Sequence, residues 1–344
     1  MYEAATSSLI PEMLKEYGAI TQTELAKYLP DREPKRFLYD ILADYPQRSG
    51  KMMRPSLCIA TARAFGASLE DALATAVSIE LLHNALLIHD DIEDESDERR
   101  GKPTLHKIHG VPLAINAGDT LSLLSLLPLI TNTETLGSKL STRILEETIR
   151  MALETAEGQA MELGWRRENC VDLNDEDYLV MVLKKTCWLA TIFPLRIGAL
   201  IGSRDTADLE SLIRFGFFLG AAFQIQDDLL NLVGDERYGK ELNGDIQEGK
   251  RTLMLLHLME NASDEQRELL YQLLDTPREQ RSVAQIQWVR RLMDEYGSID
   301  YAREIAHGMA GAAMHEYKMI FSNLPPSRDK DFIEGLVTWV FERT

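Results

Sequence analysis

Two clusters of acidic side chains are the part of this chain best suited to chemistry. The first runs from Asp90 to Asp94 and reads DDIED, and the second runs from Asp227 to Asn231 and reads DDLLN. Each cluster ends a long apolar stretch, where carboxylates are costly to bury unless positive charge meets them. Helical residues four apart share a face, so Asp90 projects with Asp94, and Asp227 with Asn231. Hard oxygen ligands of this kind suit Mg²⁺ and substrate phosphates, so the pattern predicts a magnesium-dependent enzyme acting on diphosphates.

The alternative interpretation of these carboxylates is that they only mark the ends of helices. Acidic groups are favoured at helix N-termini, however, and both clusters lie at the C-terminal side of their apolar stretches, where the helix dipole disfavours them. We therefore predict that Asp90, Asp94 and Asp227 bind metal. Asp91 and Asp228 either bind it as well or orient the residues that do.

Further motifs surround the two clusters and resemble those of the trans-isoprenyl diphosphate synthases, or polyprenyl synthetases. They occur in the order typical of that family and cover roughly residues 36 to 260. The motifs are GKMMRP at 50–55, LHN at 82–84, RRGKPT at 99–104, GQA at 158–160, KT at 185–186, FQIQDD at 223–228 and the Gly- and Lys-containing stretch 239–252. One departure is Asn231, because the second cluster of the family more commonly ends in Asp. Some geranylgeranyl diphosphate synthases resemble the form that ends in Asn.

The resemblance implies an all-α, single-domain helical bundle of the isoprenoid synthase type around a central cavity. It implies a prenyltransferase that condenses isopentenyl diphosphate with an allylic diphosphate to make an all-trans prenyl diphosphate. Geranylgeranyl diphosphate is the expected product, Mg²⁺ the expected cofactor, with three ions when substrate is bound, and a homodimer the expected assembly.

The resemblance also assigns roles to individual residues. For isopentenyl diphosphate the assigned residues are Lys51, Arg54, His83 and Arg100. For the allylic diphosphate they are Arg99, Lys185, Thr186, Gln224, Lys240 and Lys250. Lys185 joins Asp90, Asp94 and Asp227 as a catalytic residue. Taken alone, a histidine in an apolar helix is more often a core residue, and lysines in a polar loop are often only solvated.

Product length in such enzymes depends on the depth of the cavity that holds the growing chain. In the family, the residues five and four positions before the first cluster help to set it, because bulky aromatic side chains make a shallow cavity. Those positions are Ala85 and Leu86, which are small and medium-sized. They predict a medium-chain product, and Ala85 leaves a longer-chain synthase open as an alternative.

Composition excludes other functions. The chain has 55 acidic and 37 basic residues and a net charge of −18, which argues against a nucleic-acid binder. Its three cysteines form no CxxC pair, and no signal pattern or convincing membrane span is evident, so a cytoplasmic protein is expected. A class I terpene cyclase would not need a second set of cations, and an inactive partner subunit would not be expected to keep the charged motifs.

The elements that must position these residues are almost all helices, because apolar residues recur at spacings of three and four. Helices are predicted over residues 68–91, 113–130, 138–164, 175–202, 206–233, 251–260, 264–274, 282–296, 299–322 and 328–342. Ser68 and Asn174 are predicted to cap two of them. Loops are predicted over 95–112 and 234–250, the second as a mobile lid. Residues 1–35 are expected to form one or two short helices before a catalytic domain at 36–344.

Overall fold

The computed structural model describes residues 2–48, 50–234 and 242–342, and they fold almost entirely into helices, as predicted. The α-helices are α1 (Tyr2–Leu25), α2 (Asp40–Gln47), α3 (Met53–Ala64), α4 (Leu69–Glu93), α5 (Leu105–His109), α6 (Val111–Leu124), α7 (Leu126–Thr135), α8 (Ser138–Arg167), α9 (Asp175–Val182), α10 (Phe193–Gly202), α11 (Ser211–Val233), α12 (Gly244–Glu248), α13 (Leu253–Asn261), α14 (Asp264–Asp275), α15 (Val283–Glu295), α16 (Ser298–Phe321) and α17 (Arg328–Glu342).

Capping side chains fix the starts of the predicted helices. Ser68 and Asp71 form a capping box at the N-terminus of α4, and Asn174 and Asp177 form another at α9. Each box satisfies two backbone N–H groups that the helix itself leaves unpaired. Both predicted caps are confirmed.

Two buried apolar clusters hold the bundle together. The larger one joins α1, α3, α8, α10, α11, α13 and α16 with the helices around them. The smaller one lies between α2, α4, α5 and α6 and includes Val77, Leu81, Ala117 and Leu121. Helix α4 therefore contacts apolar side chains on several faces, which explains why its sequence shows no single apolar stripe.

The N-terminal region differs from the prediction of one or two short helices. It contains a single long helix, α1, whose residues Ile10 and Met13 are buried in the larger cluster. The Tyr17 hydroxyl donates a hydrogen bond to Asp329 of α17, which also pairs with Arg63 of α3 at 3.1 Å. Helix propensity alone does not account for the length of α1. The packing of α1 against α3 and α17 stabilises it.

The segment after the first acidic cluster is more ordered than the predicted loop. Glu98–Arg99 and Lys102–Pro103 form a two-stranded antiparallel hairpin, β1 and β2, and α5 follows it. The two turn residues, Arg100 and Gly101, have φ angles of 55° and 70°, as a two-residue hairpin turn of type I′ requires. In the predicted lid, residues 242–250 include α12, while 235–241 lie outside the described residues.

A π-helical segment interrupts the helix that runs from α9 to α10. It spans Leu183–Ile192 and carries Lys185 and Thr186. Gly158 of α8 packs directly against its backbone, because a Cβ atom at Gly158 would lie 2.1 Å from the backbone nitrogen of Lys185. Segments of this kind are frequent at functional sites, where they redirect side chains.

Three helical stretches are long and apolar enough to cross a membrane by length and composition: 69–93, 111–135 and 175–202. The sequence-based expectation of no convincing span rested on Asp119 and Pro128 in the second stretch and on Pro194 and Arg196 in the third. In the first and third, 67% of the most apolar window is buried inside the bundle, but in the second only 39% is. Of these three stretches, the one formed by α6 and α7 therefore leaves the largest share of its apolar window unburied.

We predict that Gly158→Ala lowers the melting temperature, because the added methyl group would overlap the backbone of the π segment. Overpacking of this kind costs roughly 1–3 kcal/mol. Gly164→Ala is the matched control, since it lies on the same helix and its Cβ would meet no atom within 4 Å. It should raise stability by up to about 1 kcal/mol through helix propensity. Thermal unfolding followed by circular dichroism measures both, and equal melting temperatures for the two variants would contradict the packing argument.

Candidate active site

A cavity of about 540 Å³ lies between α3, α4, α8, the α9–α10 helix and α11. On three of these elements a charged lining residue lies one helical turn from an apolar lining residue. The pairs are Asp90 with Leu86, Lys185 with Leu189, and Asp227 with Phe223. The cavity thus has a charged part, here called its mouth, and an apolar wall that also includes Ala156, Ala160, Leu163, Met181 and Val182.

Asp90 lies at this mouth with cations on both sides. Its carboxylate is 3.2 Å from the guanidinium of Arg99 and 3.5 Å from the ammonium of Lys185. Burial and the charge of Asp94 raise its pKa, but Lys185, Arg99 and Lys250 outweigh them, so the pKa is lowered overall. Asp90 is therefore ionised and lines the cavity, and metal binding by Asp90 stays a prediction.

Asp94 is ionised as well, but it is buried in an ion-pair network. Its side chain pairs with Arg166 at 2.5 Å and with Lys250 at 3.0 Å, and only 2% of the residue is exposed. Although burial opposes the charge, Lys250, Lys185 and Arg166 hold the pKa of Asp94 well below its usual range. The side chain does not line the cavity, so metal binding by Asp94 remains a prediction that requires it to exchange a partner.

Asp91 and Asp228 are both engaged by neighbouring side chains. Asp91 accepts hydrogen bonds from Arg99 and from the Tyr45 hydroxyl, and burial raises its pKa. Asp228 accepts from the Tyr178 hydroxyl at 2.8 Å and from Gln224, and burial, together with the charge of Asp245, raises its pKa. These contacts favour an orienting role for both residues.

The facing helices fit a divalent cation that also binds a substrate phosphate. Asp90 of α4 and Asp227 of α11 both line the cavity, so each helix offers a carboxylate. Within residues 2–48, 50–234 and 242–342, no three His, Cys, Asp or Glu side chains form a group that could hold a metal ion. Mg²⁺ typically takes one or two carboxylates and completes its shell with water and phosphate oxygens.

The residues predicted for the allylic diphosphate that the structure describes all line the cavity. Lys185 pairs with Glu162 at 2.7 Å, which keeps the pKa of the lysine raised despite burial. Thr186 donates to Gln224 at 2.8 Å, and Gln224 donates to Asp228 at 2.7 Å. Lys250 and Arg99 line the same cavity. Lys240 lies outside the described residues.

The residues predicted for isopentenyl diphosphate are brought together only in part. Arg54 and His83 line the cavity, and burial lowers the pKa of Arg54 to about 10 and that of His83 to about 4. The Nε of Arg54 is buried and has no hydrogen-bond partner within the described part of the chain. Arg100 instead donates to the backbone carbonyls of Tyr45 and Arg48, and exposed Lys51 lies over the Trp339 ring.

The predicted position of Ala85 at the cavity wall is wrong. Ala85 is fully buried in the smaller apolar cluster with Ala117 and Leu121 of α6, and it does not line the cavity. Leu86, the next residue, does line it. Helix α4 turns Leu86 and Leu87 toward the cavity, and Ala85, about 100° from Leu86 around the helix axis, packs against α6 instead.

Two charged residues of the site were not predicted from the sequence. Glu162 lines the cavity and holds Lys185, while Arg166 holds Asp94. Glu162 follows Gln159 of the GQA motif by three residues and Arg166 follows Glu162 by four, so all three share one face of α8. This shared helix face is the sequence signal from which Glu162 and Arg166 could have been identified.

Comparison with known proteins agrees with this geometry. Residues 35–293 match the sequence profile of the polyprenyl synthetase family. The chain belongs to this family. It is 33% identical over 298 residues to a short chain isoprenyl diphosphate synthase of Methanothermobacter thermautotrophicus, covering 86% of this chain and 88% of the relative.

Solved structures of polyprenyl synthetases and related enzymes share the fold. A geranylgeranyl pyrophosphate synthetase from Pyrococcus horikoshii superposes with a TM-score of 0.84 at 32% identity, covering 100% of this chain and 99% of that chain. A polyprenyl synthase from Caulobacter crescentus, solved with calcium and isoprenyl diphosphate, has a TM-score of 0.82 at 26% identity, covering 96% and 98%. The chain is a prenyl diphosphate synthase of a family that uses divalent metal ions.

Sequence identity does not separate the enzymes of this family by product. Relatives that are 31–33% identical to the chain carry names ranging from short chain and geranylgeranyl to octaprenyl diphosphate synthases. The choice among products therefore has to be argued from the cavity.

Proposed function

We propose that this prenyl diphosphate synthase condenses isopentenyl diphosphate with an allylic diphosphate, with Mg²⁺ as cofactor, and that its product is geranylgeranyl diphosphate. The observation that carries the proposal is the cavity, in which two facing acidic helices and flanking cations lie one helical turn from an apolar wall. A diphosphate needs the charged region, and a growing hydrocarbon chain needs the apolar wall.

Asp90 and Asp227 would hold the metal, with Asp94 joining them once Lys250 or Arg166 releases it. Bound Mg²⁺ would neutralise charge on the leaving diphosphate. Lys185 is held at the mouth by Glu162, and Lys250 is paired with Asp94, so each can meet a diphosphate by exchanging a carboxylate partner for it. The apolar wall keeps water away from the allylic cation, which water would otherwise capture.

Arg54 and His83 would bind the incoming isopentenyl diphosphate, with Arg100 and Lys51 nearby. The buried Nε of Arg54 supports this assignment, because an unsatisfied cationic donor gains most from an anion. Burial, and then the charge on Arg54, hold the pKa of His83 down, so this histidine is neutral near pH 7 and can bind by hydrogen bonding. A terpene cyclase, which consumes a single diphosphate, would have no use for this second set of cations.

We also propose that two copies associate through the exposed apolar face of α6, α7 and α8, as a cytoplasmic homodimer. Leu123 is 69% exposed and Ile130 63%, and Ile149 and Leu153 of α8 are exposed as well. Apolar faces of this kind on a folded chain mark interaction sites.

Sedimentation should give a dimer at micromolar concentration, and Ile130→Glu should dissociate it. A wild-type monomer would contradict this assembly.

The decisive test of activity is condensation of isopentenyl diphosphate with each allylic primer in turn, with product length measured by chromatography. EDTA should abolish turnover and Mg²⁺ should restore it. Asp90→Asn should lower turnover by about a hundredfold to a thousandfold, as expected for a lost electrostatic stabiliser. Asp97→Asn is the control, since Asp97 is exposed and pairs only with Lys107 among the charged groups described. Full condensation after metal removal would refute the proposal.

Product length should respond to Leu86 and not to Ala85. Leu86→Phe puts an aromatic ring against the cavity wall, so it should stop elongation about one isoprene unit earlier. Ala85→Phe is the matched control, because it adds a ring on the neighbouring residue that packs against α6. It should cost roughly 1–3 kcal/mol of stability and leave the product unchanged. A shortened product from a folded Ala85→Phe enzyme alone would show that the chain passes along α6.

A further inference from the structure

A buried arginine, Arg48, holds the hairpin that carries Arg99 and Arg100. Arg48 follows the last turn of α2 and is 4% exposed. Its Nη1 donates to the Arg99 carbonyl at 2.9 Å, and its Nη2 donates to the Pro103 carbonyl at 2.8 Å. Its Nε pairs with Asp44 at 2.6 Å, and its guanidinium lies over the Tyr45 ring at 4.5 Å. One side chain thus contacts both strands of the hairpin.

The contact is reciprocal. Arg100 donates through Nη1 to the backbone carbonyls of Arg48, at 3.0 Å, and of Tyr45, at 3.3 Å. Gly50 leaves room for this guanidinium, since a Cβ there would lie 2.8 Å from Nη2 of Arg100. The Tyr45 hydroxyl donates to Asp91, the same carboxylate that Arg99 binds. The end of α2 and the hairpin therefore interlock through both arginines.

The hairpin needs this support because its own structure is weak. Its strands have only two residues each, and an isolated two-stranded hairpin is marginal in water. Arg100 also adopts a positive φ of 55°, which an L residue with a long side chain disfavours. Residues kept in such conformations persist only where surrounding contacts impose them.

We propose that Arg48 is a positioning residue that fixes Arg99 and Arg100, and with them the binding of both diphosphates. This inference rests on the proposed function, which assigns Arg99 to the allylic diphosphate and Arg100 to isopentenyl diphosphate. Lysine cannot replace Arg48, because a single ammonium on a flexible stem does not span two carbonyls and an aromatic ring as a planar fork does.

The test compares Arg48→Lys with the wild-type enzyme in calorimetric binding of isopentenyl diphosphate and of geranyl diphosphate, each measured separately with Mg²⁺. Both dissociation constants should rise by about tenfold, the scale of one misplaced charged hydrogen bond. Arg267→Lys is the matched control. Arg267 also donates to backbone carbonyls, those of Met259 and Ala262, but it does not line the cavity. It should leave both constants unchanged.

Unchanged affinities in folded Arg48→Lys would overturn the proposal, and so would equal losses in Arg267→Lys. If Arg48→Lys does not fold, Asp44→Asn serves instead, because it removes only the charge that holds Nε of Arg48. This variant should bind both diphosphates more weakly, and unchanged binding would again overturn the proposal. Failure of the proposed function is recognised separately, because the wild-type enzyme itself would then not bind isopentenyl diphosphate.

Discussion

The structure depends on one constraint: the carboxylates of the first acidic cluster, at the end of apolar helix α4, must be matched by cations. A buried ionised group without a partner costs several kcal/mol. Asp90 has Lys185 and Arg99, Asp91 has Arg99, and Asp94 has Arg166 and Lys250. The acidic cluster that makes the site chemically useful is therefore also the group around which the mouth of the cavity is assembled.

The matching cations come from separate parts of the chain. Arg99 lies on the hairpin, Arg166 ends α8, Lys185 lies on the π segment, and Lys250 follows α12. Because each pairs with α4, charge compensation also fixes the positions of four otherwise distant elements. A diphosphate and its metal ions can enter such a site by exchanging partners, since the total charge of anions and cations stays balanced. Lys250, for example, pairs with Asp94 and Glu248, and a diphosphate could take the place of either carboxylate.

The sequence predicted most helices because their apolar residues are periodic. Spacings of three and four define the helices, and a spacing of four relates Asp90 to Asp94 in the first acidic cluster. It did not predict contacts that depend on tertiary packing. The clamp of Arg48 on the hairpin involves backbone carbonyls, which leave no trace in side-chain patterns. Whether Ala85 or Leu86 faces the cavity was equally undetermined, because α4 is apolar on nearly every face.

The amide that ends the second acidic cluster has a physical explanation in the same balance of charge. Asn231 does not line the cavity; its side-chain oxygen accepts the backbone N–H of Asp245 at 3.1 Å, and its carbonyl accepts that of Asn243 at 2.8 Å. Its contacts thus fix the start of α12. Asp228, one turn earlier, already has a pKa raised by burial and by Asp245. A carboxylate at position 231 would add a further negative charge to this pair, whereas an amide makes the same hydrogen bond without it.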